Sequence, residues 1–176
     1  MKKLLIVVDY QNDFVNGSLG FSKAELLDNL IYQKIFEYKF AGNDVIYTFD
    51  THDADYLCTE EGKNLPVEHC IKGTHGYELY GKVGSIFDAS TDKYFEKNTF
   101  PSLDLANYLK NLNYNYEEIE LCGLVSNICV ISNAIMVKAA LPNAHIVVDH
   151  NLTASFDQKL NEETFDILKG LQIEVR

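Results

Sequence analysis

Three side chains that follow predicted strands have the chemistry of a nucleophilic site. Asp9 ends the apolar run KLLIVVD, Lys97 follows a short strand around 94–96, and Cys129 comes shortly after a strand that ends near Leu124. A thiol becomes a strong nucleophile when a base removes its proton. Asp9 could accept that proton, and Lys97 could hold the pair and favour the anion. The first turn of a helix at Cys129 would also favour a thiolate.

Each of these residues also has an ordinary structural role. A cysteine near a strand end usually fills the core, and an aspartate there often caps a helix or forms a turn. A single lysine such as Lys97 is usually solvated. Spacing alone therefore leaves the catalytic and the structural interpretations open.

A second set of side chains could bind a metal ion. Asp50 and His52 are two residues apart at the end of a predicted strand, where they share one face, and His69 lies in the loop that follows. Two imidazoles and a carboxylate suit a divalent ion such as zinc, iron or manganese, with positions left open for water and a ring nitrogen. From the residue pattern alone, these two loop histidines are more simply interpreted as surface residues than as metal ligands. The other histidines carry no ligand pattern: His75, His145 and His150.

Apolar runs and helix-period segments alternate along the chain. The predicted strands are 3–9, 44–50, about 94–96, 117–124, 144–150 and 171–175. The predicted helices are 24–40, 101–112, 127–140 and 161–169. This order predicts an α/β fold of three layers, α/β/α, with a mostly parallel, doubly wound sheet of about six strands in a single domain, residues 1–176. Ligands bind such sheets beyond the carboxyl ends of the strands, which is where the residues above fall.

Two segments carry more specific expectations. The helix 24–40 is predicted to bury one apolar face, made of Leu26, Leu27, Leu30, Ile31, Ile35 and Phe36. The segment 51–85 has no clear period and is predicted to be a long, ordered loop. Long loops in compact domains are usually functional.

The bulk composition narrows the class of protein. A formal net charge of −11 argues against nucleic acid or an anionic membrane as partner, because both require a cationic surface. The apolar run Leu4–Val8 is five residues long, shorter than the ~7–15 of an export signal, and no stretch approaches the ~18 apolar residues of a membrane span. The four cysteines are therefore expected to be reduced thiols of a cytoplasmic protein.

Five motifs carry a family resemblance. They are VVDYQNDF (7–14), TFDTH (48–52), LPVEHCIKGTHGYEL (65–79), EKNTF (96–100) and GLVSNICV (123–130). In this order they resemble the isochorismatase-like cysteine hydrolases, and within them the nicotinamidase/pyrazinamidase branch. The D-x-Q-N-D-F and H-C-x-x-G-T-x-G motifs are the most specific of the set.

The resemblance implies a role for each matching residue. It implies that Asp9 is the base, that Lys97 is a positioning cation and that Cys129 is a nucleophile that forms a thioester and releases ammonia. The backbone N–H groups of Val125 and Cys129 would form the oxyanion hole, with a cis peptide expected at Leu124–Val125. The resemblance also implies a metal site, most simply for zinc, whose ligands would be Asp50, His52 and His69.

The sequence departs from the nicotinamidase pattern at the substrate pocket. Thr51 and Leu65 stand where members that cleave nicotinamide often carry tryptophan, and this chain has no tryptophan. The spacing from the proline of LPVEHC to its histidine is also one residue longer. Phe14, Tyr56 and Phe100 could supply the aromatic wall instead, although each of them could equally be a core residue.

Three functional hypotheses follow from the residues and the resemblance. The first is an amidohydrolase that converts nicotinamide to nicotinate and ammonia. The second is a related amidase or carbamoyl hydrolase acting on a small amide without a pyridine ring. The third is a flavodoxin-like nucleotide- or flavin-binding module, which the absence of a glycine-rich phosphate loop after the first strand disfavours. The family resemblance also raises the expectation of a homo-oligomer.

Overall fold

The computed structural model describes residues 2–113 and 115–176 and has one six-stranded sheet at its centre. All strand pairs are parallel, and the strand order is β3-β2-β1-β4-β5-β6. The strands are β1 Leu4–Val8, β2 Asp44–Asp50, β3 Lys93–Lys97, β4 Ile119–Leu124, β5 Ile146–Ala154 and β6 Glu174–Val175. This confirms the predicted parallel α/β sheet.

Helices cover both faces of the sheet. They are α1 Asn12–Val15, α2 Ser22–Glu25, α3 Asp28–Phe40, α4 Glu60–Asn64, α5 Gly81–Ser85, α6 Leu103–Lys110, α7 Ile131–Ala140 and α8 Gln158–Gly170. Short 3₁₀ turns lie at Tyr56–Cys58 and His75–Tyr77, and a π-helical turn at Ser126–Val130 leads into α7. Among the described residues, every helix is too short or too polar to cross a membrane.

The central strand β1 explains why its sequence is continuously apolar. Its five residues are fully buried, because helices pack against the sheet from both sides. Leu5 and Val7 pack in the cluster that contains the buried side of α3, whereas Leu4, Ile6 and Val8 pack in the cluster of α6, α7 and α8. The strand pairs with β2 on one side and β4 on the other, so the ends of these three strands are neighbours.

The predicted helix 24–40 is wrong in its extent and in part of its buried face. The chain forms two helices, α2 and α3, and Leu26, Leu30 and Phe36 are 73%, 43% and 58% exposed. The buried residues Leu27, Ile31, Ile35 and Tyr38 follow each other at spacings of four, four and three, which places them on one side of the helix. The buried face of this segment is therefore narrower than the apolar residues alone indicate.

The segment 51–85 is ordered, as predicted, but it is not structureless. It contains α4, α5 and both 3₁₀ turns. Strand β5 is longer than predicted and continues to Ala154, with an irregular register against β4.

Candidate active site and metal-binding group

The three candidate catalytic side chains meet at the carboxyl ends of β1, β3 and β4. The Lys97 Nζ lies 2.6 Å from Asp9 Oδ2 and 3.8 Å from Cys129 Sγ. All three residues are almost completely buried, with exposures of 0% for Asp9, 6% for Lys97 and 3% for Cys129. The parallel sheet thus brings together an acid, an amine and a thiol that are far apart in sequence.

Asp9 is held by the neighbouring strand β2. Its backbone has φ of +45°, in the left-handed region that aspartate tolerates better than most residues, and its N–H donates to the carbonyl of Thr48. The Thr48 hydroxyl donates to Asp9 Oδ1 at 2.6 Å. Burial raises the pKa of Asp9 above its ordinary value, although Lys97 opposes this effect. The raised pKa makes the carboxylate a stronger base.

Lys97 is surrounded by acceptors. Its Nζ contacts Asp50 Oδ1 at 3.2 Å and the Thr99 carbonyl at 3.0 Å, in addition to Asp9. Burial disfavours the ammonium, but the negative groups around it, Asp9 first, outweigh that effect and raise the pKa of Lys97 above its ordinary value. The side chain therefore remains a cation and is not a proton donor at neutral pH.

Cys129 lies in the π-helical turn, where its carbonyl accepts a hydrogen bond from the Asn133 amide at 2.8 Å. Burial raises the pKa of the Cys129 thiol well above its ordinary value, although Lys97 opposes this, and the negative charges of Asp9 and Asp50 also raise it. The free site therefore favours a protonated thiol. Lys97 acts in the expected direction, toward the thiolate, but burial has the larger effect.

The turn before Cys129 contains the cis peptide that the family resemblance implied. The Leu124–Val125 peptide is cis. Val125 and Cys129 both line a cavity that opens at the end of β4.

Four side chains beside this site could hold a divalent metal ion. One oxygen or nitrogen from each of Asp50, His52, Glu61 and His69 lies within 4.8 Å of every other. Asp50 Oδ2 is 3.1 Å from His52 Nε2 and 3.3 Å from His69 Nε2. Glu61 Oε1 is 3.7 Å from both of these nitrogens.

The chemistry of this group fits a divalent cation. The Nδ1 of His69 is 2.8 Å from the Val67 carbonyl, so in the neutral ring Nδ1 carries the hydrogen and Nε2 is free to bind a metal. Burial opposes the ionisation of Asp50, but Lys97 and the two imidazoles outweigh it and lower the pKa of Asp50. Asp50 thus presents one oxygen to Lys97 and the other to the histidines, linking the two groups.

Glu61 was missed by the sequence interpretation, which placed it in an irregular loop. It lies in α4, whose start is capped by the Thr59 side chain accepting from the N–H of Gly62. A threonine followed by two acidic residues is a helix-start signal that could have identified this turn. The helix places the Glu61 carboxylate next to the histidines.

The D-x-Q-N-D-F motif (9–14) also anchors the loop that carries His69. Gln11 is fully buried, and its amide donates to the carbonyls of Asp50 and Tyr77, each at 2.8 Å, while its oxygen accepts from the Asp50 N–H. Asp13 Oδ2 accepts from the N–H of Cys70 at 2.8 Å. The D-x-Q-N-D-F motif therefore supplies a candidate base and anchors the metal-binding loop.

A cavity of about 470 Å³ leads to Cys129, and we call it the apolar cavity. It is lined by Phe14, Leu19, Gly20, Asp50, Glu61, Leu65, His69, Phe100, Val125, Ile128, Cys129 and Phe156. Two of the three predicted aromatic wall residues, Phe14 and Phe100, are in place. Phe156 was not predicted, because it follows β5 at a position without a motif.

Tyr56 does not line the apolar cavity, which is a correction to its predicted role. Its ring is fully buried behind the histidines, with centroids 4.6 Å from His52 and 4.9 Å from His69. Its hydroxyl donates to the Leu65 carbonyl at 2.9 Å. Tyr56 therefore packs the metal-binding group rather than the substrate wall.

Comparison with known proteins identifies the family of the chain. The family model "Isochorismatase domain" matches residues 3–175. The uncharacterized isochorismatase family protein PncA of Bacillus subtilis is 33% identical over 169 residues, which cover 90% of each chain.

Solved structures resemble the whole fold. The nicotinamidase/pyrazinamidase PncA from Bacillus subtilis has a TM-score of 0.86 at 30% identity and covers 99% of both chains. The pyrazinamidase/nicotinamidase from Streptococcus mutans has a TM-score of 0.87 at 26% identity, over 99% of this chain and 100% of that one. The protein belongs to the isochorismatase family of hydrolases.

Proposed function

We propose that the protein is a cysteine-dependent amidohydrolase that converts nicotinamide and water to nicotinate and ammonia. The observation that carries this proposal is the buried contact of Asp9, Lys97 and Cys129 at the end of an apolar cavity that also reaches Asp50 and His69. The similarity to the Bacillus subtilis nicotinamidase/pyrazinamidase supports the same reaction class.

In the proposed reaction the Cys129 thiol gives its proton to Asp9 while Sγ bonds to the amide carbon. Asp9 then passes the proton to the amide nitrogen, the C–N bond breaks, and ammonia leaves a thioester on Cys129. Water attacks the thioester carbon as Asp9 accepts one of its protons, the C–S bond then breaks to release the acid, and Asp9 returns the proton to the sulfur of Cys129. Lys97 holds the Asp9 carboxylate in place and stabilises negative charge during each transfer.

The carbonyl oxygen becomes negative in both tetrahedral intermediates. The backbone N–H groups of Val125 and Cys129 are the proposed donors to this oxygen, and one such donor is typically worth ~10²–10³ in rate. A zinc, iron or manganese ion held by Asp50, His52, Glu61 and His69 would act as a Lewis acid toward a ring nitrogen or a water molecule.

The lining of the apolar cavity favours an uncharged substrate. Among the described residues, no lysine or arginine lines it, and its acids are Asp50 and Glu61. Apart from a bound metal ion, whose open position the ring nitrogen or water would take, a substrate carboxylate would lose its hydration without gaining a cationic partner from the protein, because Lys97 is already paired with Asp9 and Asp50. This favours nicotinamide over ureido acids, which are the substrates that a carbamoyl hydrolase would require.

Ammonia release distinguishes these substrates directly. We expect kcat/KM for nicotinamide to exceed that for N-carbamoylglycine by at least about 100-fold. This ratio corresponds to the free energy lost when one charge of the substrate is left unpaired in an apolar site. The measurement is a coupled ammonia assay on both substrates with added zinc or manganese. Preference for the ureido acid would overturn the proposed substrate and leave the hydrolytic group in place.

Replacing Glu61 by glutamine is expected to weaken metal binding by about 10- to 100-fold, because the metal-binding group loses one of its two carboxylates. Equilibrium dialysis against Zn²⁺ followed by metal analysis measures the affinity. Glu68→Gln is the matched control, since Glu68 is an exposed acid of the same loop beside His69. Equal affinities of the two variants would remove Glu61 from the proposed ligand set.

A further inference from the structure

A second cavity reaches the metal-binding group from another side. Its volume is about 380 Å³, and its lining includes four acidic residues and no lysine or arginine among the described residues. We call it the acidic cavity; its acids are Asp53, Asp55, Glu60 and Glu61. Asp53, Asp55 and Glu60 are exposed, so their charges face the solvent at its mouth.

The candidate metal ligands separate the two cavities. Asp50 and His69 line the apolar cavity, His52 lines the acidic cavity, and Glu61 lines both. His52 is only 6% exposed, so the acidic cavity leads to a buried imidazole and not merely to a patch of surface acids. Solvent can therefore approach the same group of ligands from two sides that differ in polarity.

We propose that divalent metal ions enter and leave the site through the acidic cavity, by a route separate from that of the substrate. This inference rests on the metal site of the proposed function. A hydrated cation loses much solvation among the phenylalanine rings of the apolar cavity, whereas carboxylates, Thr51, Thr59 and Asn98 in the acidic cavity offer oxygen atoms along the way. Clustered acids also raise the local concentration of cations and their rate of arrival.

The two-sided arrangement has a consequence for function. An amide that fills the apolar cavity would cover Asp50 and His69 but leave the approach to His52 and Glu61 open. The approach of a metal ion then does not require the substrate to leave the apolar cavity. Glu61 borders both cavities, and its side chain is 18% exposed against 5% for His52, so an arriving ion meets Glu61 before His52 on the acidic side.

The test measures the rate at which Co²⁺ binds to metal-free protein, followed by stopped-flow visible absorption. The variant Asp53→Asn/Asp55→Asn/Glu60→Gln removes three charges from the acidic cavity and leaves all four candidate ligands. We expect its association rate constant to fall about tenfold at low ionic strength, with little change in the dissociation rate constant, and the difference to shrink at about 0.5 M salt. The matched control Glu162→Gln/Glu163→Gln/Asp166→Asn removes three charges from α8 and is expected to bind Co²⁺ at the wild-type rate.

A second variant tests the other side. Phe156 lines the apolar cavity and is 63% exposed, so Phe156→Lys places a cation there at little cost to folding. We expect no slowing of Co²⁺ association by this variant. Slowing by Phe156→Lys, or equal rates for the acidic-cavity variant and the α8 control, would overturn the proposed route. Failure of the wild-type protein to bind Co²⁺ would overturn the metal site together with the route, whereas hydrolysis dependent on Cys129 is measured separately.

Discussion

Replacement of Cys129 by alanine is expected to abolish amide hydrolysis while the fold and the metal-binding group remain. The loss in kcat should be about 10⁴–10⁶-fold, because the nucleophile, the base and the oxyanion donors act as a unit and removal of the nucleophile stops the covalent route. Ammonia release from nicotinamide measures the activity. Zn²⁺ affinity should be unchanged, since the thiol is not among the four candidate ligands.

Cys58→Ala is the control for this variant, because Cys58 is an exposed thiol with no proposed role. It should keep wild-type activity. The remaining thiols, Cys70 and Cys122, are buried like Cys129, and burial raises their pKa values as well. Among the described cysteines, only Cys129 contacts Lys97, at 3.8 Å from its Nζ. Activity of Cys129→Ala within tenfold of wild type would contradict the proposed nucleophile.

The sheet and the convergence at its edge could be predicted because they depend on strong, local signals. The run Leu4–Val8 is buried on both sides, so it is apolar without alternation, and the same holds for most of β2 and β4. The carboxyl ends of the strands in a parallel sheet lie at the same edge, regardless of the length or conformation of the loops. The positions of Asp9, Lys97 and Cys129 therefore followed from strand boundaries, whereas their proposed roles came from the motifs.

The features that could not be predicted depend on tertiary placement. Leu26, Leu30 and Phe36 are apolar but lie outside the face that packs on the sheet, and composition does not indicate which side of an apolar helix is covered. Glu61 reaches the histidines only because a five-residue helix turns it inward. Tyr56 lies close to both histidines in sequence and in space, yet on the side away from the apolar cavity, and no spacing rule distinguishes the two sides.

Replacement of Lys97 by methionine is expected to remove activity and also to destabilise the protein. Lys97 is the cation between two buried carboxylates, those of Asp9 and Asp50. Removal of one partner from a buried ion pair typically costs on the order of 3–5 kcal/mol, because the remaining charge is left without compensation. Activity should fall by at least about 10³-fold, since Asp9 loses the group that fixes its position and charge state. Urea unfolding of metal-free protein and the ammonia assay measure the two effects.

The pH dependence of this destabilisation follows from the direction of the pKa shifts. Without Lys97, the pKa values of Asp9 and Asp50 rise in the folded variant, so the folded variant binds protons that the unfolded chain does not. Its free energy of unfolding then increases relative to wild type as the pH falls, by about 1.4 kcal/mol per pH unit for each proton taken up. The difference between the two proteins should be largest near pH 8 and smaller near about pH 5.

Lys72→Met provides the contrast for the Lys97 variant. Lys72 also pairs with a carboxylate, Glu96, at 2.7 Å, but its side chain is 55% exposed and water compensates for the loss of the pair. Its stability and activity should stay close to wild type, with no change between about pH 8 and pH 5. If Lys97→Met behaved like Lys72→Met in unfolding, the buried carboxylates would have to be neutral in the wild-type protein. Asp9 would then already be protonated and could not accept the proton of Cys129, which would overturn the proposed mechanism at its first step.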